Sequence, residues 1–273
     1  MTARLLQIDA FTSRLFGGNP AAVCLLETDP TDAWMQAVAA ENNLAETAYV
    51  QRRADGFSLR WFTPSTEVDL CGHATLAAAH ALWTEGDVPP GEPIRFSTRS
   101  GWLTATRLGG ESGDTIELDF PATPVQPGPP PPELLAGLGI ETAVLTGLTR
   151  FDAFLELESA DAVRALEPDF RRLGRIPLRG IIVTSRSDDE AYDFISRFFG
   201  PASGIDEDPA TGSAYCALGP YWRERMGKQQ LVGYQASRRG GVIRCRPEGD
   251  RVFLGGQAVT YFRTQLTPDV LNS

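Results

Sequence analysis

The chain has 273 residues, with 25 Lys and Arg against 35 Asp and Glu, so its net charge of −10 and lack of a basic cluster exclude nucleic acid and anionic membrane as partners and leave a small molecule. Four scattered cysteines without a CxxC pair and only two histidines argue against a disulfide framework, a structural zinc site or a His-rich metal site. No apolar run is long enough for a bilayer, and MTARLLQIDAF lacks the core and cleavage site of a secretion signal, so the expected location is the cytoplasm.

In chain order, RLLQIDAF (4–11) and AAVCLLE (21–27) predict strands on either side of a GGNP turn at Gly17–Pro20. TDAWMQAVAAENN (31–43) supplies an N-cap candidate and helical spacing of Trp34 and Val38. AETAYVQR and FSLRWFTP return to strand character. CGHATLAAAHALWTEG (71–86) predicts a helix, small and apolar on every face and stopped by Gly. PIRFSTRSGWLTATRL and TIELDF read as antiparallel strands.

A proline-dense stretch, PATPVQPGPPPPELL (121–135), forbids regular structure and divides the chain into halves of similar size. Beyond it come strands in AVLTGLTRFDAFLELE, a helix near DAVRALEPDF and strands at GIIVTSRS and YDFISRFFGP. An acid loop and a helix over GSAYCALGPYWRERMG follow, then closing strands at GVIRCRP and RVFLGGQAVTYFRTQL. The halves rhyme: CGHATLAAAHALW and ATGSAYCALGPYW both place Gly and a polar residue ahead of small apolar turns ending at Trp. A helix apolar all round is buried. The expectation is two related α+β lobes, each a sheet around a central helix, with a cleft at the helix N-termini.

Several residues in these motifs carry chemistry. Glu46 in NNLAETAYV lies where a helix hands over to a strand. It is either a surface carboxylate or, if turned into a cleft, an acid or base whose pKa its apolar neighbours would raise. His73 follows Gly72 at a helix start, where free backbone N–H groups collect, which suits contact with an anionic substrate group as well as a structural role. Cys71 is open between a thiolate lowered by the helix end and a buried, inert thiol. In GIDEDPATGSAYCALG (204–219), three acids crowd the mouth of a helix. Asp208 with Thr211, Gly212 and Ser213 would make a polar pocket; capping by the acids is the alternative. Asn19 of the GGNP turn is a further donor to the same cleft. The acid spacing matches no calcium loop, and no GxGxxG, Walker, HExxH or GxSxG element occurs.

IDAFTSRLFGGNPAAVCL, NNLAETAYV, RWFTPSTEVDLCGHATLAAAHAL and GIDEDPATGSAYCALGPYW together resemble the PhzF-like (phenazine biosynthesis-like) isomerases over nearly the whole chain. The resemblance implies a diaminopimelate epimerase-like α+β fold. This fold has two pseudo-symmetric lobes, each a mostly antiparallel sheet wrapped around a central buried helix. Residues 1–122 would form one lobe and 123–256 the other, with 257–273 crossing back to the first. It implies a homodimer and a cofactor-independent isomerase that moves a proton on a small carboxylated substrate, with no metal. Glu46 matches the catalytic acid/base. His73, Asp208, Gly72, Gly212 and Ser213 match substrate-binding positions. Related epimerases and racemases use two thiols; Cys71 falls on the first position and Pro209 on the expected second, which disfavours two-thiol chemistry here. A non-catalytic binder of small amino or carboxylic acids is the alternative, and an epimerase or racemase a further one.

Overall fold

In the computed structural model, which describes residues 3–109, 114–267 and 270, the GGNP turn closes a hairpin. Its strands are β1 (Ala3–Ala10) and β2 (Asn19–Leu26), antiparallel from Ala3↔Leu26 to Ala10↔Asn19. Gly18 is what permits the turn: its φ is +58°, and a Cβ there would overlap the Ala10 carbonyl oxygen. Helix α1 (Asp32–Asn42) starts at Thr31, whose hydroxyl accepts the Trp34 N–H, and stops at Asn43 in the left-handed region. It carries the chain over to β3 (Thr47–Arg53), parallel to β2. Then come β4 (Gly56–Phe62), β5 (Glu67–Val68), helix α2 (Gly72–Thr84), β6 (Ile94–Thr98), β7 (Gly101–Leu108) and β8 (Thr115–Pro121).

The proline-dense stretch is not wholly irregular. It holds a two-residue strand, β9 (Gln126–Pro127), and leads into a short helix, α3 (Leu134–Leu138). Next are β10 (Leu145–Leu148), β11 (Asp152–Glu156), α4 (Ala160–Arg164) and α5 (Phe170–Leu173). The single helix expected at DAVRALEPDF is thus two. Pro168 disfavours helix in the residue before it, and Asp169 caps a fresh start by accepting the Arg172 N–H. The chain continues through β12 (Gly180–Arg186), β13 (Phe194–Gly200), β14 (Ile205–Asp208), α6 (Gly212–Met226), β15 (Leu231–Gln235), β16 (Gly241–Glu248) and β17 (Arg251–Gly256) to β18 (Ala258–Gln265).

Two compact units result, one of Met1–Asp119 with Gly255–Ser273 and one of Phe120–Leu254. The last strand, β18, belongs to the first unit and pairs antiparallel with β1.

The two units repeat one topology. In the first, β18, β1 and β2 are antiparallel neighbours, and β2 runs parallel to β3 across α1. Strand β3 pairs antiparallel with β4, and β4 holds both the short β5 and, in parallel across α2, β6. In the second, β9, β10 and β11 are antiparallel, and β11 runs parallel to β12 across α4 and α5. Strand β12 pairs with β13, and β13 holds the short β14 and, in parallel across α6, β15. Each unit is therefore a mostly antiparallel mixed sheet, and its parallel pairs are bridged by helices, as parallel connections require.

Helix α2 has eleven buried residues of thirteen and packs on β1, β2, β3 and β18, which is where a helix apolar on every face belongs. Helix α6 lies against β15 and β16. Pro220 within α6 has no N–H to give the Cys216 carbonyl; Thr123 N–H takes that carbonyl instead, at 3.0 Å. Trp222 is fully buried, stacks near Phe194 and donates its indole N–H to Thr184 Oγ1 at 3.0 Å.

Candidate functional site

The first unit gathers Asn19, Glu46, Cys71 and His73. Asn19 opens β2 directly after the glycine turn and is fully buried. Glu46 sits between the end of α1 and the start of β3, and its backbone carbonyl accepts the Ala22 N–H at 3.2 Å. This contact ties the residue to β2. His73 is the second residue of α2 and only 5% exposed. Asn19 Nδ2 lies 3.2 Å from His73 Nδ1, Cys71 Sγ 3.5 Å from the same nitrogen, and Glu46 Oε2 3.2 Å from Nε2.

Glu46 and His73 are thus in ion-pair range, with both side chains largely buried. The contact does not meet hydrogen-bond geometry. Among the described residues, neither Glu46 Oε2 nor His73 Nε2 has another partner. A buried donor and a buried acceptor left in this state are costly unless something else uses them.

Burial by itself pulls the His73 imidazole down, but the acidic neighbours Cys71 and Glu46 outweigh it and hold the group well above its ordinary value. Cys71 is pushed up, first by its own burial and then by the Glu46 charge. Both influences disfavour the thiolate, and the neighbouring imidazole opposes them. The direction of the shift favours the buried thiol over a thiolate lowered by the helix end.

Glu46, Cys71 and His73 each present a donor atom within 4.8 Å of the others, the makings of a three-ligand metal set. The imidazole divides that set. Cys71 faces Nδ1 and Glu46 faces Nε2, so one ion does not reach all three at ordinary ligand distances of about 2.0–2.3 Å without a ligand moving.

The second unit holds the acid motif, and here the structure corrects the reading of a helix mouth. Asp206, Glu207 and Asp208 lie on β14, a strand paired with β13 through Phe198↔Asp208, and α6 begins only at Gly212. Asp206 is exposed, and Glu207 receives the Arg197 guanidinium at 2.7 Å. Only Asp208 is buried. It accepts the Thr211 hydroxyl on Oδ2. Gly212 is buried and Ser213 partly exposed in the first turn of α6.

One residue of this cluster escapes the motifs. Gln235, fully buried at the end of β15, donates from Nε2 to the Asp208 carbonyl (2.7 Å) and to Thr211 Oγ1 (3.0 Å). Its Oε1 accepts the Thr211 N–H at 2.8 Å. The signal was available: Leu231, Gly233 and Gln235 share the inward face of an alternating strand, and a glutamine does not fit there without partners.

The repeat also fixes which positions correspond. Ser100 Oγ donates to the Asp69 carbonyl and Ser237 Oγ to the Pro209 carbonyl, each at 2.8 Å and each two residues before the residue that precedes the helix. Cys71 therefore matches Thr211, and Pro209 matches Asp69. The residue standing where a second thiol would be expected is a threonine, not the proline assigned from sequence. A hydroxyl does not ionise near neutral pH.

Comparison with known proteins agrees with this architecture. The family described as phenazine biosynthesis-like protein matches residues 8–264. An uncharacterized isomerase of Halalkalibacterium halodurans is 53% identical over 267 residues, 97% of this chain and 99% of that protein. A crystal structure of a phenazine biosynthesis protein of the PhzF family from Enterococcus faecalis superposes with a TM-score of 0.90. It shares 40% identity and is matched over 98% of this chain and 100% of that one. A hydroxyproline epimerase from Agrobacterium vitis, solved with trans-4-hydroxy-L-proline, shares the fold alone: its TM-score is 0.66 at 11% identity, over 98% of this chain and 93% of that one.

Proposed function

Because the chain belongs to the phenazine biosynthesis-like protein family and is an isomerase, we propose that it moves a proton on a small carboxylated substrate without a cofactor, with Glu46 as the general acid/base. One observation carries this reading. Glu46 Oε2 and His73 Nε2 are buried 3.2 Å apart with no other partner among the described residues, a carboxylate and an imidazole both open to a substrate. In this mechanism Glu46 takes a proton from carbon and returns it at another position. The His73 imidazolium steadies the negative charge that develops between the two steps.

Asp208 holds a cationic or hydroxyl group of the substrate. Gly72, Gly212 and Ser213 line the starts of α2 and α6, neither of which has a side-chain cap, so their backbone N–H groups suit a substrate carboxylate. Asn19, 3.2 Å from His73 Nδ1, is a further substrate-binding group in this reading. Thr211 in place of a second thiol favours a proton shift, in which one group takes and returns the proton, over inversion by two opposed groups.

The protein is further proposed to work in the cytoplasm as a homodimer. All four cysteines are free and buried, which suits a reducing compartment. Phe16 (67% exposed) and Tyr261 (48%) form an exposed aromatic pair that suits burial against a second copy. Sedimentation of Tyr261→Asp tests the dimer: a parent and variant with the same mass would exclude this surface.

The acid/base assignment is tested by Glu46→Gln. The expected result is turnover reduced to background with unchanged circular dichroism and melting behaviour. A folded Glu46→Gln protein with parental turnover would take Glu46 out of the mechanism.

A further inference from the structure

We propose that Gln235 is a positioning residue that holds Asp208 in its substrate-facing orientation by directing the Thr211 hydroxyl onto the Asp208 carboxylate. This rests on the reading of Asp208 as a substrate-binding group.

Gln235 uses its whole side-chain amide on one short segment. Nε2 donates to the Asp208 carbonyl and to Thr211 Oγ1, and Oε1 accepts the Thr211 N–H. Because Thr211 Oγ1 already accepts a hydrogen bond from Gln235, its own hydroxyl proton points the other way, onto Asp208 Oδ2. The direction of this chain, amide to hydroxyl to carboxylate, is set at the Gln235 end, and each donor polarises the next. Rotating Thr211 away would strand a donor on a fully buried amide, so the arrangement resists rearrangement.

The repeat within the chain separates this role from ordinary scaffolding. Gln235 lies two residues before Ser237, as Thr98 lies two before Ser100, and the two serines make matching bonds to Pro209 and Asp69. In the first unit Thr98 only closes its own turn, donating to the Gly101 carbonyl at 2.7 Å. There the position matching Asp208 is Val68. The topology is thus built with a short hydroxyl at this place where no carboxylate is present. The long amide accompanies the carboxylate and the threonine it serves.

The test needs no substrate, because the readout is the Asp208 carboxyl itself. Its proton titration is followed by carbon-13 NMR in the full chain, and the signal is assigned by its loss in Asp208→Asn. In Gln235→Leu, and in Gln235→Met, which keeps the length without adding a charge should the leucine variant not fold, Asp208 is expected to become about a tenfold weaker acid. Thr211→Val should move it in the same direction, and combining Thr211→Val with Gln235→Leu should add little. Asp208 titrating as in the parent in a folded Gln235 variant, or fully additive shifts in the double variant, would overturn the proposal. Turnover of Asp208→Asn tests the substrate role separately, so the two ideas fail by different results.

Discussion

The Glu46–His73 pair makes a prediction that needs no knowledge of the substrate. The perturbation is Glu46→Gln, which preserves shape and removes one charge 3.2 Å from His73 Nε2. At that separation a unit charge contributes about 5 kcal/mol of attraction for an effective dielectric of about 20, before any desolvation is counted. One titration unit is about 1.4 kcal/mol, so this single neighbour is large enough to move the imidazole measurably. With it gone, one of the two neighbours that oppose burial is lost and Cys71 remains. His73 should therefore titrate above 6.5 in the parent and lower in the variant than in the parent.

Ring NMR of the two histidines reads this cleanly, because His80 provides a fixed reference. Burial first, then Arg107 and Arg263, push His80 down to about 4, and Glu46→Gln should leave it there. The sign in stability follows. A group whose folded pKa is raised stabilises the fold fully below its unfolded value and loses that contribution as pH rises through the folded value. The parent's contribution from His73 is thus present below pH 6.5 and disappears towards alkaline pH; in the variant this contribution is smaller. A parental His73 that titrates at or below 6.5, or that does not move in the variant, would refute the electrostatic account.

Two substitutions probe the scaffold beneath the site. Gly18→Ala forces a Cβ into the left-handed region against the Ala10 carbonyl. It should destabilise the chain by more than about 1 kcal/mol in denaturant titration and broaden the His73 ring signal through its neighbour Asn19; an alanine variant as stable as the parent would remove strain from the explanation of the turn. Trp222→Ala removes a fully buried indole together with its hydrogen bond to Thr184 Oγ1, which keeps its own bond to the Ile195 carbonyl. A loss of about 3–5 kcal/mol is expected by chemical unfolding, and a loss below about 1 kcal/mol would mean the surrounding aromatic layer re-forms without it.

Much of this architecture is legible in the residues. CGHATLAAAHALW and ATGSAYCALGPYW stand out because helices apolar on all faces are buried, and the repeat they announce extends to strand order and direction. Glu46, His73 and Asn19 lie in separate motifs, and periodicity alone leaves each of them open between structural and functional roles. Their convergence depends on the β1–β2 hairpin and the β2–β3 crossover, which are tertiary facts. The acid run reads as a loop because Pro209 and Gly204 bracket it; pairing with β13, a partner distant in sequence, makes it a strand. The match of Cys71 to Thr211 depends on where each helix begins, and helix boundaries are the least legible feature of any sequence. For Gln235 the sequence signal is only its place on the inward face of an alternating strand; which partners it serves depends on the tertiary placement of Asp208 and Thr211.

Hydrogen transfer at carbon is the core of the account, and exchange with solvent measures it most directly. The protein is incubated in deuterated buffer with small carboxylated compounds, and deuterium at carbon is read by mass spectrometry. The parent should place deuterium in the isomerised product without added metal or cofactor, and Glu46→Gln should place none. Deuterium incorporation by Glu46→Gln at the parental rate would contradict the account.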